Sequence, residues 1–187
     1  KHELLCTSRE YDEVSKLSKI RHFDLIFVGK HGGSDKKSKL KASIERIEKL
    51  SKKIKRFEPD LVISYGSPEA ARISFGLGIK HIMFCDSPHA NAVMRLTVPL
   101  IQKLLIPHVI PKKEFSKYGI NEKNIVQYKA IDAVVTMKRK IEKNIDSPFK
   151  NNNNKNILIR VEEEEAAYTS KSSKIIPIIQ KIANDYK

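Results

Sequence analysis

The chain has 187 residues, enough for one full domain or a domain plus part of another, and 40% of them are hydrophobic, which suffices for a core. No apolar run is long enough to span a bilayer, and Lys1-His2-Glu3-Leu4-Leu5 lacks a signal-peptide apolar region; a chain that opens on Lys1 rather than Met reads as a piece of a longer one. Net charge is +14, from 36 Lys and Arg against 22 Asp and Glu, which favours phosphate-bearing partners. The lysines lie mostly on helices and in loops and are not interleaved with aromatics, so lysine-covered surface helices explain the charge better than nucleic-acid binding.

In chain order, His2 to Thr7 reads as a strand, with Thr7 or Ser8 placed to cap a helix from Glu10 to Ile20. Phe23 to Val28 is a nearly continuous apolar run, as in a strand buried on both faces. Gly29-Lys30-His31-Gly32-Gly33-Ser34-Asp35 is a flexible loop. From Lys37 to Phe57, Leu40, Ile44, Ile47, Leu50 and Ile54 recur in steps of three and four, which predicts an amphipathic helix with lysines on its wet face. Strands are predicted at Leu61 to Ser64, Ile79 to Cys85, Lys103 to Ile106 and Asn124 to Tyr128. Helices are predicted from Ser67 to Phe75, Ser87 to Val98 and Pro111 to Tyr118, with Gly76, Gly78 and Gly119 as stops. Lys150-Asn151-Asn152-Asn153-Asn154-Lys155-Asn156 is polar and low in complexity. A strand from Asn156 to Val161, the acidic run Glu162 to Glu165 and an amphipathic helix carrying Ile175, Ile176, Ile179 and Ile182 follow. The expected organisation is a first domain over 1–146, a linker over 147–156 and the start of a second domain over 157–187. Alternating strands and helices with short links imply an α/β, Rossmann-like parallel sheet with helices on both faces.

One short pattern occurs twice, twenty residues apart: Tyr65-Gly66-Ser67-Pro68-Glu69-Ala70 and Cys85-Asp86-Ser87-Pro88-His89-Ala90. Each follows an apolar run and precedes a helical stretch. Ser offers an N-cap oxygen and Pro suits the first helical position, so both read as strand-to-helix turns on one sheet edge, where open α/β sheets hold ligands. Glu69 and His89 then occupy equivalent places. A neutral imidazole beside a carboxylate three residues away suits removal of a hydroxyl proton, so His89 and Asp86 are candidate catalytic groups. The competing reading makes Asp86 a helix cap and His89 an exposed first-turn residue. Glu69 is a weaker acid/base candidate, since an ion pair with Arg72 at i+3 explains it as well. His31, Gly32 and Gly33, together with Lys30, could approach a phosphate, although the loop matches neither a P-loop nor a dinucleotide fingerprint. Ser67, Ser87 and Arg95 are candidate binding groups at the turns, and Arg160 ends the strand of the second domain. Cys6 and Cys85 read as small buried hydrophobes, and two cysteines without a paired CxxC make no zinc site. Leu96 to Ile110 reads as buried strand and helix end, or as a membrane-facing patch beside Lys112 and Lys113.

Several runs are similar to a largely archaeal family of unknown function grouped with the GT-B glycosyltransferases. They are Gly29-Lys30-His31-Gly32-Gly33, Ser67-Pro68-Glu69-Ala70-Ala71-Arg72, Phe75-Gly76-Leu77-Gly78-Ile79, Asp86-Ser87-Pro88-His89-Ala90 and Arg95-Leu96-Thr97. The resemblance extends through Ile110-Pro111-Lys112, Lys117-Tyr118-Gly119-Ile120, Val126-Gln127-Tyr128-Lys129-Ala130 and Glu163-Glu164-Glu165-Ala166-Ala167-Tyr168, covering nearly the whole chain. It implies two Rossmann-like domains facing across a cleft. The first would begin with a strand and loop preceding Lys1, and the second would continue past Lys187. It further implies a glycosyltransferase with a nucleotide-sugar donor held mainly by the second domain, an acceptor shaped by the first, and no bound metal or other cofactor, in keeping with the absence of an Asp-x-Asp motif. A lipid-linked acceptor at the inner face of the membrane would suit the apolar stretch, with the protein in the cytoplasm. The layout over Ile79 to Asp86 is also similar to UDP-N-acetylglucosamine 2-epimerases, but Asp86-Ser87-Pro88-His89 replaces their His-Val-Glu-Ala-Gly-Leu-Arg type run. A nucleotide-sugar 2-epimerase is therefore the alternative enzyme, and a non-catalytic binder of phosphate-bearing ligands or RNA is the alternative from another class.

Overall fold

The computed structural model of the chain describes residues 2–33, 35–132, 134–135 and 175–185. The chain divides into two compact units, residues 1–132 and 133–187. The first unit holds six strands: β1 (Thr7–Glu10), β2 (Ile26–Lys30), β3 (Leu61–Tyr65), β4 (Lys80–Phe84), β5 (Lys103–Pro107) and β6 (Ile125–Tyr128). Between them lie α1 (Asp12–Ile20), α2 (Lys36–Phe57), α3 (Pro68–Gly76), α4 (Asn91–Thr97) and the single-turn α5 (Lys113–Ser116). Of the second unit, the helix α6 (Ile175–Asp185) is described. The polar linker, the 156–161 strand, the Glu162 to Glu165 run and Arg160 lie outside the described residues.

All strand pairs are parallel, as the βα alternation requires, and they form two sheets, β1–β2 and β3–β4–β5–β6. In the larger sheet each strand pairs with its predecessor, so the crossover helices fall on one face. There Ala71, Met83, Met94, Val98, Leu104, Ile106, Phe115 and Ile125 form the main core. The period-two alternation is plain in β4, where His81 and Met83 are buried and Ile82 and Phe84 are half-buried. On the opposite face Leu61, Ile63, Tyr65 and Val126 are exposed. The apolar stretch from Leu96 is mostly core rather than surface: Val98, Ile101, Leu104, Ile106 and Pro107 are buried. No described helix is long and apolar enough to cross a membrane.

Among the described residues, the two sheets share no strand pair. A smaller cluster of Val28, Leu50, Ile54 and Ile73 joins β2 and α2 to α3. Helix α2 begins where the Asp35 carboxylate accepts from the Ser38 amide at 2.8 Å, and it ends at Glu58 in the left-handed conformation, before Pro59. Its predicted apolar stripe is only half used, because Leu50 and Ile54 are buried while Leu40 and Ile44 are exposed.

The first two strands lie three or more residues later than their apolar runs suggest. Leu4 and Phe23 are exposed, and pairing starts at Thr7 opposite Ile26. The cap is also displaced: α1 starts after Tyr11 with no side-chain cap, not after Thr7 or Ser8. Between Ser8 and Glu10 the facing strand advances from Phe27 to Lys30, an irregularity that Gly29 accommodates at φ 75°. A Cβ at Gly29 would also lie 3.2 Å from Cβ of Arg46, so glycine here lets α2 approach β2 closely.

His81 is fully buried and satisfied. Its Nδ1 lies 2.8 Å from Ser74 Oγ, and its Nε2 lies 2.8 Å from Ser64 Oγ. Ser74 Oγ also lies 2.8 Å from the Ala70 carbonyl, which it donates to. The network therefore places the ring proton on Nδ1 and leaves Nε2 to accept from Ser64. Burial holds the imidazole pKa down to about 4.

Two stability measurements check this packing. Leu104→Ala should cost about 2–5 kcal/mol in urea unfolding, and Ile63→Ala, on the open face, less than about 1 kcal/mol. Because the folded His81 pKa lies below its unfolded value, the unfolded chain binds the proton more tightly. Its contribution to stability is full above about pH 6.5 and declines as the pH falls toward 4, by about 3 kcal/mol at most. A His81→Leu variant should lose that component of the pH dependence; an unchanged wild-type profile between pH 7 and 4 would contradict the assignment.

Candidate functional site

The carboxyl ends of β1, β3, β4 and β6 gather the polar groups of the first unit. At the first Ser-Pro turn, Gly66 adopts φ 52° and its amide donates to the Phe84 carbonyl at 3.1 Å, which locks the turn to β4. Ser67 caps α3, its Oγ accepting from the Ala70 amide at 3.3 Å, with Pro68 at the first helical position. The turn has the predicted geometry, but its acid is not a surface charge. Glu69 is 2% exposed. Its partner is Arg9 rather than Arg72: Arg9 Nη2 lies 3.0 Å from both Glu69 oxygens. Ser43 Oγ donates to Glu69 Oε1 at 2.9 Å and Ser67 Oγ approaches Oε2 at 3.3 Å. Burial alone would raise the Glu69 pKa. The Arg9 charge and the hydrogen bonds from its own amide, Arg9 and Ser43 outweigh burial and hold the carboxyl below its ordinary value.

Arg9 and Arg46 are site residues that sequence reasoning missed. Arg46 is 6% exposed on α2; its Nη1 lies 3.4 Å from the Val28 carbonyl, and its buried Nε has no partner among the described residues. Burial lowers its pKa, with Glu69 opposing and Arg9 reinforcing that shift. A cavity of about 1120 Å³ runs between β1 and β3, with Arg9, Arg46 and Ser67 at one end and apolar residues such as Leu5, Ile54 and Phe57 along its length.

The second Ser-Pro turn is built differently from the first. Ser87 does not cap a helix; its Oγ donates to Asp86 Oδ1 at 2.7 Å. The Ala90 amide bonds to the Ser87 carbonyl and the Asn91 amide to the His89 carbonyl, so residues 87–90 form tight turns and α4 begins only at Asn91. His89 is exposed and precedes the helix instead of sitting on its first turn. Tyr118 holds the turn from outside, its hydroxyl 2.9 Å from the Pro88 carbonyl and 2.5 Å from Asn91 Oδ1. Asp86 is exposed beside Tyr65, whose hydroxyl pKa rises through burial first and then through the Asp86 and Asp132 charges. The Tyr128 hydroxyl donates to Asp132 Oδ2 at 2.8 Å, and the Tyr128 ring packs 5.9 Å from Phe84. Tyr65, Asp86, Tyr128 and Asp132 thus make a second polar cluster at the ends of β3, β4 and β6.

The His31-Gly32-Gly33 loop is less of a cradle than its glycines suggest. A Cβ at Gly32 would lie 2.6 Å from the Ser38 carbonyl oxygen, so Gly32 is required by the close approach of α2. His31 Nδ1 accepts from the Gly33 amide at 3.3 Å, and its ring lies 5.3 Å from Tyr11. Arg95 is exposed on the last turn of α4. Cys85 is buried, as expected, whereas Cys6 is exposed. Among the described residues, no group of three or more His, Cys, Asp or Glu side chains could hold a metal ion.

Removing the Glu69 charge tests the buried pair. Glu69→Gln should cost about 2–4 kcal/mol in denaturant unfolding, because it leaves two arginines facing each other. Arg72→Ala, which removes a side chain that Glu69 does not use, should change stability by less than about 0.5 kcal/mol.

Similarity to known proteins is consistent with this architecture. The chain is 33% identical over 117 residues to the uncharacterized protein MJ0665 of Methanocaldococcus jannaschii, a match covering 63% of this chain and 34% of that relative. Its fold is similar to that of UDP-GlcNAc 2-epimerase from Neisseria meningitidis bound to UDP-GlcNAc, with a TM-score of 0.52 and 17% identity over 65% of this chain and 36% of the enzyme. The matched region is thus about a third of the length of each of these proteins. The shared fold is α/β and Rossmann-like, with parallel sheets flanked by helices. The model of the family described as "Protein of unknown function (DUF354)" matches residues 1–187 from end to end, and the chain belongs to that family.

Proposed function

We propose that the chain is the acceptor-side part of a GT-B-type glycosyltransferase that moves a sugar from a nucleotide-sugar donor to an acceptor hydroxyl. The observation that carries the reading is the Asp86-Ser87-Pro88-His89 turn, which presents a carboxylate and an imidazole, both exposed, at the carboxyl end of β4. The likeness to an enzyme whose structure was solved with UDP-GlcNAc supports a nucleotide-sugar ligand.

In this reading His89 is the base and Asp86 binds the acceptor. Asp86 Oδ1 is already engaged by Ser87, and Tyr65 lies against the same side chain, so the carboxylate is fixed in direction and suited to hold a hydroxyl. The acceptor oxygen attacks the anomeric carbon as its proton passes to His89. The bond from that carbon to the nucleotide phosphate breaks, and the nucleoside diphosphate leaves with the electron pair. In a single displacement with the acceptor opposite the departing phosphate, the anomeric centre is inverted. Glu69, buried against Arg9, is a positioning residue for the neighbouring turn. A nucleotide-sugar 2-epimerase is the second reading, favoured by the fold likeness itself.

In the full-length protein, His89→Ala should lower kcat by about 100-fold or more and leave donor Kd nearly unchanged. Unchanged turnover would make His89 an ordinary turn residue. Calorimetric titration with UDP-sugars against short RNA separates the enzyme readings from a binding protein. RNA binding with a steep salt slope and no nucleotide-sugar binding would overturn both enzyme readings.

A further inference from the structure

We propose that Tyr118 is a positioning residue for the Asp86-Ser87-Pro88-His89 turn, acting on His89 through the Pro88 carbonyl and the Asn91 side chain; that the group so positioned is a base rests on the function proposed above. The hydrogen bonds of the turn lead to this residue. The Ser87 carbonyl accepts from the Ala90 amide, the His89 carbonyl from the Asn91 amide and the Ala90 carbonyl from the Met94 amide. These bonds are local, and they shape residues 87–90 without fixing where the turn points. The Pro88 carbonyl accepts instead from the Tyr118 hydroxyl, thirty positions away, at 2.9 Å. That oxygen lies in the peptide plane that carries the His89 nitrogen, so holding it fixes the plane from which the imidazole projects.

Tyr118 is well supported for this task. Its ring packs against the main core, and Phe115 before it and Ile120 after it are buried. Gly119, at φ 102°, turns the chain immediately after the tyrosine. A tyrosine has two side-chain torsions, so a ring anchored in this way leaves its hydroxyl little freedom. The same hydroxyl lies 2.5 Å from Oδ1 of Asn91, the first residue of α4. One hydroxyl proton therefore faces two acceptors, one on each side of His89 in the chain. His89 itself is exposed, so its direction follows from the backbone of the turn rather than from burial. Positioning of this kind matters to a proton transfer, because a misplacement of about 1 Å can cost a rate factor of about 100.

Turnover and amide hydrogen exchange of the full-length protein test the role. Tyr118→Phe keeps the ring in the core and removes the hydroxyl alone. It should lower kcat about tenfold and leave the donor KM within about twofold. It should also speed exchange of the Ala90 and Asn91 amides about tenfold or more, with the Met83 amide in β4 unchanged. Ser116→Ala, which removes a bond to Glu122 from the same single-turn helix, should change neither readout. The loss of rate should run through His89. Tyr118→Phe added to His89→Ala should therefore slow turnover little further, whereas a general structural defect would multiply the two losses. Unchanged kcat in Tyr118→Phe, where His89→Ala is slowed, overturns the positioning role, and so do multiplied losses in the double variant. Unchanged exchange at Ala90 and Asn91 overturns the hold on the turn itself. Faster exchange in Tyr118→Phe with normal turnover in His89→Ala supports that hold and overturns the proposed reaction, so the two fail separately.

Discussion

Arg9 and Glu69 form the contact on which the arrangement of the first unit turns. Among the described residues, the strand pair β1–β2 and the sheet β3–β6 exchange no strand hydrogen bonds. Among the described residues, this ion pair ties their carboxyl ends, joining positions sixty apart in sequence. Below it, the small apolar cluster of Val28, Leu50, Ile54 and Ile73 does the rest. A bidentate contact to a single guanidinium nitrogen, reinforced by Ser43 and Ser67, fixes direction as well as distance. Glu69 thereby sets the first Ser-Pro turn against β1, and Gly66 passes that position on to β4 through the Phe84 carbonyl.

The two turns show what a local pattern does and does not determine. Both have Ser-Pro, and in both the strand before and the helix after were legible from apolar runs, Pro and Gly. What differs is the residue before Ser. Tyr65-Gly66 leaves the Ser67 hydroxyl to cap α3, whereas Asp86 takes the Ser87 hydroxyl for itself and delays α4 to Asn91. Side chains that bond their own neighbourhood compete with caps, and a repeat of three residues does not reveal which partner wins.

Legibility fell with sequence separation. The strands β3 to β6 and the length of α2 followed from periodicity and stop signals, because those are local properties. The starts of β1 and β2 were misplaced because Leu4, Leu5 and Phe23 are apolar without being paired. Arg72 was the obvious partner for Glu69 only because the i+3 rule sees one helix at a time. Arg9 and Arg46 carried no local signal; placing β1 next to β3 at the level of topology is what would have brought them into view. Together they give the sheet edge two electrical ends. Arginines crowd the β1 side, and the carboxylates of Asp86 and Asp132, flanked by tyrosines, occupy the β4 and β6 side.

The separation of the two sheets also bears on how the molecule breathes. Native structure opens in cooperative pieces bounded by sparse contacts. The β3–β6 sheet with α3 to α5 owns the large core and every backbone bond that positions the Asp86 turn. Among the described residues, the β1–β2 pair is held by the small cluster, to which it gives Val28, and by the salt link. Partial opening of that pair would release Arg9 and loosen Arg46 while the Asp86 turn keeps its shape. The described contacts thus hold the carboxylate end of the sheet edge more densely than the arginine end.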